Sequence, residues 1–309
     1  MKYLTILLSV TISFLFLEFF VRFFIDDGMN YEIEMMKYAN KLKIISSSPN
    51  IGIEHKKNFK AKLMGADMIL DIDGFRNNKV KRENKKKIIM LGDSMTLGWG
   101  AKRPFSQILN DKILNYEVIN AGIGNTNSIM QISNFLENYS TKYEYEIVIL
   151  NFFINDFEDV KIKKPNFLQK YSFFYTYLNN KINTILIKFN FKKNWQNFYS
   201  DNYLNKDMQK KTLLQLTELK KFCDENNIKL IIHNIPELRD LNSYKFNRET
   251  DIIKKFSENN DIDFVDSIEV LNKYEGEELW VTKEDPHAND KAHKIIADFL
   301  IKEISKNIN

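Results

Sequence analysis

Gly92-Asp93-Ser94 and Asp285-Pro286-His287 place a hydroxyl in one segment and a carboxylate with an imidazole in another, about 190 residues downstream. A serine hydroxyl is a weak nucleophile at neutral pH. It needs a positioned base, normally histidine, and a group that holds that base in one tautomer. Acyl chemistry also needs donors aimed at the tetrahedral oxyanion, and loss of one such donor costs roughly 3–4 kcal/mol of barrier. Two further segments offer donors. Asn120-Ala121-Gly122-Ile123-Gly124-Asn125-Thr126 has glycines that let backbone approach a ligand, and Asn151-Phe152-Phe153-Ile154-Asn155-Asp156 has a side-chain amide.

The surrounding pattern says what positions these groups. Lys87-Ile88-Ile89-Met90-Leu91 is a short apolar run ended by Gly92 and reads as a buried strand. Residues 116–119, 146–153, 229–234 and 264–265 read as further strands. Residues 105–114, 128–139, 208–226, 250–258 and 291–305 have helical spacing. Strands alternating with helices predict a mostly parallel sheet covered on both faces, with ligands beyond the carboxyl ends of the strands. Ser94, the glycines and Asn155 all fall at such ends, and Asp285 and His287 share a loop before the last helix.

With Gly92-Asp93-Ser94 after a strand, a glycine after the second, Asn155-Asp156 after the third and Asp285-Pro286-His287 near the carboxyl end, the chain resembles the SGNH/GDSL hydrolases over about residues 70 to 309. Leu91 to Gly100 (LGDSMTLGWG) and the upstream Asp73-Gly74-Phe75-Arg76 resemble a bacterial membrane-anchored subgroup. The resemblance implies a three-layer α/β/α flavodoxin-like fold and a serine esterase acting through an acyl-enzyme. It makes Ser94 the nucleophile, His287 the base and Asp285 its orienting carboxylate, with Glu284 in reserve. The oxyanion hole would combine the Ser94 N–H, the Gly124 N–H (with Gly122 as substitute) and the Asn155 amide. Gly124 is preferred because it precedes Asn125-Thr126, as the family's glycine often precedes Asp-Thr. One departure is Phe153, where a glycine is common; it is expected to narrow the acyl pocket. Hydrolysis and acyl transfer to a glycan share this machinery and stay open, as does a non-catalytic glycan-binding or scaffold role.

Other readings of the same residues are structural. Ser94 could be a helix N-cap, and Asp93 and Asp156 are expected to shape turns. His55, His233 and His293 are expected to be structural, His233 inside a buried strand, and Asn289 to cap the last helix. The spacing of His and Cys offers no metal site, and no cofactor is expected. Residues 157–205 interrupt the alternation as an aromatic-rich, lysine-bearing insertion directly after Asn155. They are expected to be a helical subdomain with its own aromatic core, the alternatives being a lid or a membrane-docked surface.

Tyr3 to Phe24 is apolar on nearly every face, with only Glu18 and Arg22 charged. As a helix it is about 33 Å long at 1.5 Å per residue, enough to cross a bilayer's hydrocarbon core. No small-x-small cleavage site follows, so residues 1–25 are expected to be an uncleaved signal anchor. Lys2 before it and Asp26 and Asp27 after it favour an extracytoplasmic, periplasmic catalytic region at 86–309. Residues 26–85 are expected to be a polar connecting region ending in a solvated basic run, Lys79 to Lys87. A single cysteine, Cys223, excludes an intramolecular disulfide framework. Lys and Arg total 45 against 41 Asp and Glu, spread along the chain, so nucleic acid is not an expected partner. An ester or O-acylated glycan, such as O-acetylated cell-surface polysaccharide, is.

Overall fold

A computed structural model describes residues 1–76, 82 and 85–306, so most of the basic run Lys79–Lys87 lies outside the described residues. Its last member, Lys87, is buried rather than solvated, because its ammonium pairs with Glu117 at 2.7 Å.

Five parallel strands form the central sheet: β1 (Lys86–Gly92), β2 (Tyr116–Gly122), β3 (Tyr145–Phe152), β4 (Lys229–Asn234) and β5 (Asp263–Asp266). Their order is β2-β1-β3-β4-β5, the flavodoxin-like arrangement. Six consecutive residues of β1 are buried, so both faces of this strand are covered, as its unbroken apolar run requires. The order places β1 centrally, with β2 and β3 on either side. The segments following these three strands therefore meet at one edge of the sheet. The register sets Gly92 beside Gly122 at the ends of β1 and β2.

The amino-terminal apolar segment is one helix, α1 (Lys2–Phe20), continued by a wider turn at Val21–Ile25. It is long and apolar enough to cross a membrane, and almost none of it is buried. The segment expected as a polar connection folds. Helix α2 (Tyr31–Leu42) and the hairpins Lys43–Ile45/Ile53–His55 and Lys60–Leu63/Ala66–Ile69 form a layer against the main unit. Tyr38, Leu42, Leu63, Met64, Met68 and Leu70 share a buried cluster with Leu97 and Trp99, from the loop after Ser94. Each such side chain contributes roughly 1.5–3 kcal/mol on burial. The layer's apolar residues are too scattered for any one window to signal a core.

The insertion contains helices Phe167–Tyr171, α3 (Phe173–Lys188) and Trp195–Asn202. The expected aromatic core does not form within it. None of these three helices holds a buried residue, and Phe167, Phe189 and Phe191 are between 65% and 78% exposed.

Candidate active site

The turn after β1 presents Ser94. A Cβ on Gly92 would lie 2.0 Å from the Thr96 hydroxyl, so only glycine lets the strand turn here. Asp93, not Ser94, caps the short helix Ser94–Leu97, its Oδ1 accepting the Met95 N–H at 2.8 Å. Ser94 thus begins the helix with its hydroxyl free for another partner. That partner is His287, whose Nε2 lies 2.9 Å from Ser94 Oγ.

His287 and Asp285 stand in a short strand, Asp285–Ala288, paired with Trp280–Thr282, rather than in an open loop. His287 Nδ1 is 2.5 Å from Asp285 Oδ1. A carboxylate accepts, so Nδ1 carries the proton and Nε2 is left to accept from the Ser94 hydroxyl. The His287 N–H also donates to Asp285 Oδ1 at 3.1 Å, which closes a rigid two-residue unit. The other carboxylate oxygen accepts from the Trp99 indole at 3.0 Å. Asp285 is fully buried. Glu284 lines the cleft and makes no bond to the imidazole.

Asn155 lies in the turn Ile154–Phe157 after β3, and its Nδ2 donates to Asp93 Oδ2 at 2.9 Å. That contact holds the amide beside the serine turn and leaves its second N–H available. Burial raises the Asp93 carboxyl above its usual range. Asp156 shapes the same turn, accepting from the Phe153 N–H at 2.7 Å and from Gln131 at 2.9 Å. Burial, and then the neighbouring Asp93, push it well above the ordinary carboxylate range.

The two glycines separate in role. A Cβ on Gly122 would come within 2.3 Å of the Leu97 nitrogen, so Gly122 lets the serine helix seat on β2. Gly124 is the one beside the serine, its Cβ position 3.5 Å from Ser94 Cβ. Its N–H, expected to face an oxyanion, instead donates to the Tyr38 hydroxyl at 3.0 Å. That hydroxyl has only one proton. His55 Nδ1 faces the Gly74 carbonyl at 3.0 Å and must donate to it, so His55 Nε2 accepts from Tyr38 at 2.6 Å. A relay of Gly124, Tyr38, His55 and Gly74 therefore pins the glycine loop to the amino-terminal layer. Burial holds His55 neutral, its pKa pushed down to about 3.

These groups open onto a cleft of about 350 Å³. Phe153, Phe198, Tyr199 and Tyr31 supply aromatic walls, and Glu32, Glu158, Glu237 and Glu284 supply carboxyls. Arg239 pairs with Glu237 at 2.7 Å. The remaining histidines are structural: His233 bridges Asn151 and Ser267 at 2.7 Å each, and His293 Nδ1 accepts the Phe105 N–H at 3.2 Å. Asn289 caps the last helix, Asp290–Ser305.

A family model described as GDSL-like Lipase/Acylhydrolase matches residues 88–300. The chain belongs to this family. It is thus a GDSL serine hydrolase of the esterase and acylhydrolase kind. Similar solved structures include a GDSL-like lipase from Bacteroides thetaiotaomicron, at 16% identity over 74% of this chain and 94% of that one, TM-score 0.41. Another is a mutant of Axe2, an acetyl-xylooligosaccharide esterase from Geobacillus Stearmophilus, at 15% identity over 72% and 96%, TM-score 0.47. A third is the acetyl xylan esterase AlAXEase, at 16% identity over 71% and 99%, TM-score 0.44. No curated protein matches.

Residue-by-residue reading of this GDSL hydrolase missed four neighbours of the site. Trp99 was visible as part of the LGDSMTLGWG stretch, but nothing in the sequence ties it to Asp285. Tyr31 sits 5.7 Å from the His287 ring and Tyr38 bonds Gly124, both from a region with no motif. Arg76, in the Asp73-Gly74-Phe75-Arg76 stretch, is buried and donates to the carbonyls of Leu97, Gly98 and Ala101 at 2.6–2.7 Å. It holds the loop that carries Trp99.

Proposed function

We propose that this hydrolase cleaves small acyl esters of a polar, hydroxyl-rich alcohol through an acyl-enzyme on Ser94. O-acetyl groups of cell-surface polysaccharide are the favoured substrate. The observation that carries the reading is the continuous chain from Ser94 Oγ to His287 Nε2, and from His287 Nδ1 to Asp285. Ser94 Oγ attacks the ester carbonyl carbon while its proton passes to His287 Nε2. Asp285 favours the imidazolium so formed. The tetrahedral intermediate then collapses, its C–O bond to the alcohol breaks, and His287 returns the proton to the leaving oxygen. Water, deprotonated by the same nitrogen, attacks the acyl carbon and releases the acid and free Ser94.

The Ser94 N–H and the free N–H of Asn155 are the oxyanion donors in this reading. Gly124 holds the glycine loop beside Ser94 through Tyr38. Phe153 in the wall and the polar lining support a short acyl group on a sugar-like alcohol rather than a long lipid chain. The apolar helix supports a single-pass anchor with the catalytic region outside the cytoplasm.

Ser94→Ala is the direct test. Fluorophosphonate labelling and p-nitrophenyl acetate turnover should both vanish; equal labelling of the variant and the parent would reject the assignment. Protease digestion of spheroplasts, with the outer envelope opened and the cytoplasmic membrane intact, should remove the catalytic region, and its full protection there would reject the proposed side.

A further inference from the structure

From Val160 to Ser200 the chain has eight lysines and no aspartate or glutamate. Within this stretch α3 docks on the end of the apolar helix. Glu18 accepts from Ser172 Oγ at 2.7 Å and from the N–H groups of Phe173 and Phe174 at 3.0 Å each, so it caps α3 from another helix. Arg22 donates to the Tyr171 carbonyl at 2.5 Å and lies 4.0 Å from the Phe173 ring centre. One turn further into the apolar helix, Phe14 meets Phe174 edge-on at 5.7 Å.

At about 100° per residue, Phe174, Leu178, Ile182, Ile185 and Phe189 fall within roughly 80° of arc on one side of α3. Phe174 already faces the apolar helix. The other four continue the stripe and are 42–65% exposed. Lys181 and Lys188 border it. Asn180, on the opposite side, lines the catalytic cleft.

We propose that α3 and its flanks, Phe167–Phe191, form an interfacial arm lying on an anionic bilayer, the one that holds the apolar helix, and that this arm keeps the cleft at the membrane surface. The inference rests on the anchor reading above. Glu18 stands about 10 Å from the end of that helix at 1.5 Å per residue, within the roughly 5–10 Å that the apolar face of an interfacial helix sinks below the headgroup boundary. An arm leaving there lies along the interface. Its stripe sinks among acyl chains while its lysines meet the headgroup charge. A uniformly basic segment suits that surface, and the stripe joins the apolar helix without a break at Phe14. The consequence is a substrate met close to the lipid, with the arm serving at once as cleft wall and membrane contact.

The test uses the full chain in vesicles of phosphatidylcholine and phosphatidylglycerol in equal parts. Ile185→Cys carries a polarity-sensitive fluorophore; Cys223 is buried, so the parent protein should take up no label. Lipids bearing a nitroxide on the acyl chain should quench the Ile185→Cys label as they quench one at Leu8→Cys. A label at Lys229→Cys, at the end of β4 away from the cleft, should stay unquenched. Introducing Ile182→Glu, at an exposed position, should reduce quenching at position 185 several-fold, and so should vesicles of phosphatidylcholine alone. Quenching at Leu8→Cys without quenching at Ile185→Cys overturns the arm and leaves the anchor standing. Quenching at neither overturns both. Spontaneous disulfide dimers of unlabelled Ile185→Cys, together with an unquenched label in a separate labelled sample, would make a second copy the occupant and also overturn it. Quenching indifferent to Ile182→Glu or to lipid charge overturns the stripe or the choice of anionic lipid respectively.

Discussion

The indole N–H of Trp99 donates to Asp285 at 3.0 Å across 186 residues of chain. Asp285 thus has one oxygen on His287 and the other on Trp99, and Trp99 belongs to the loop that leaves the Ser94 helix. The loop of the proposed nucleophile therefore fixes the carboxylate that holds His287. Tyr31 and Tyr38 pack on Trp99, and Arg76 holds the loop's carbonyls, so the amino-terminal layer supports the site from beneath.

Trp99→Phe keeps the ring and removes this donor. A hydrogen bond to a charged group is worth about 1.5–3 kcal/mol. The expected result is a fall in kcat of about tenfold to a hundredfold with KM little changed, read with p-nitrophenyl acetate. Asp285→Asn should cost far more, on the order of 10⁴, by favouring the wrong tautomer. Glu284→Gln should stay within about twofold of the parent. A large loss in Glu284→Gln with none in Asp285→Asn would exchange their roles.

Asn155→Ala removes the proposed oxyanion donor and also the partner of Asp93. Loss of one donor predicts a fall in kcat of roughly 10²–10³. Fluorophosphonate labelling of Ser94 should persist at a reduced rate, since the serine and its base stay in place. Unchanged kcat would remove Asn155 from the hole.

Phe153→Gly should open the acyl side of the cleft. A methylene in an apolar pocket is worth about 1–3 kcal/mol. Relative kcat/KM for p-nitrophenyl butyrate over acetate should rise several-fold. No change in the ratio would place the acyl group elsewhere in the cleft.

Arg76→Lys tests the loop. A single ammonium cannot reach three carbonyls held by a planar fork. Leaving buried carbonyls unpaired should lower stability by about 2–4 kcal/mol, measured as a shift in urea midpoint at constant m. Equal midpoints would show that the loop stands without the guanidinium.

His55, His233 and His293 are buried and neutral, each with its pKa pushed down to about 3 by burial. Unfolded histidines titrate near 6.5, so below that pH the unfolded chain binds more protons than the folded one. Their contribution is fully present above pH 6.5 and is withdrawn as pH falls toward 3, by up to about 1.4 kcal/mol per pH unit for each. Asp156, raised by burial, acts in the opposite sense. The direct check is the imidazole NMR signals of these three residues, which should stay flat from about pH 5 to 8. A midpoint in that range would contradict their burial as neutral rings.

The linear order of residues was enough for what depends on local pattern. An unbroken apolar run such as Ile88–Leu91 has to be a strand covered on both faces, and the glycine that ends it has to be a turn. Alternation with amphipathic helices then sets a parallel sheet whose strand ends gather Ser94, Gly124 and Asn155. Tertiary structure decided what depends on long-range approach. That Gly124 gives its N–H to Tyr38, that Trp99 reaches Asp285 and that Arg76 braces the loop between them follow from packing a layer whose apolar residues have no period. The insertion divides the same way. Its aromatic and lysine content is plain in the sequence, but only the fold places Glu18 at the head of α3 and turns one stripe outward while Asn180 faces the cleft. Periodicity reports which side of an element is apolar; what that side meets depends on chain segments far away in sequence.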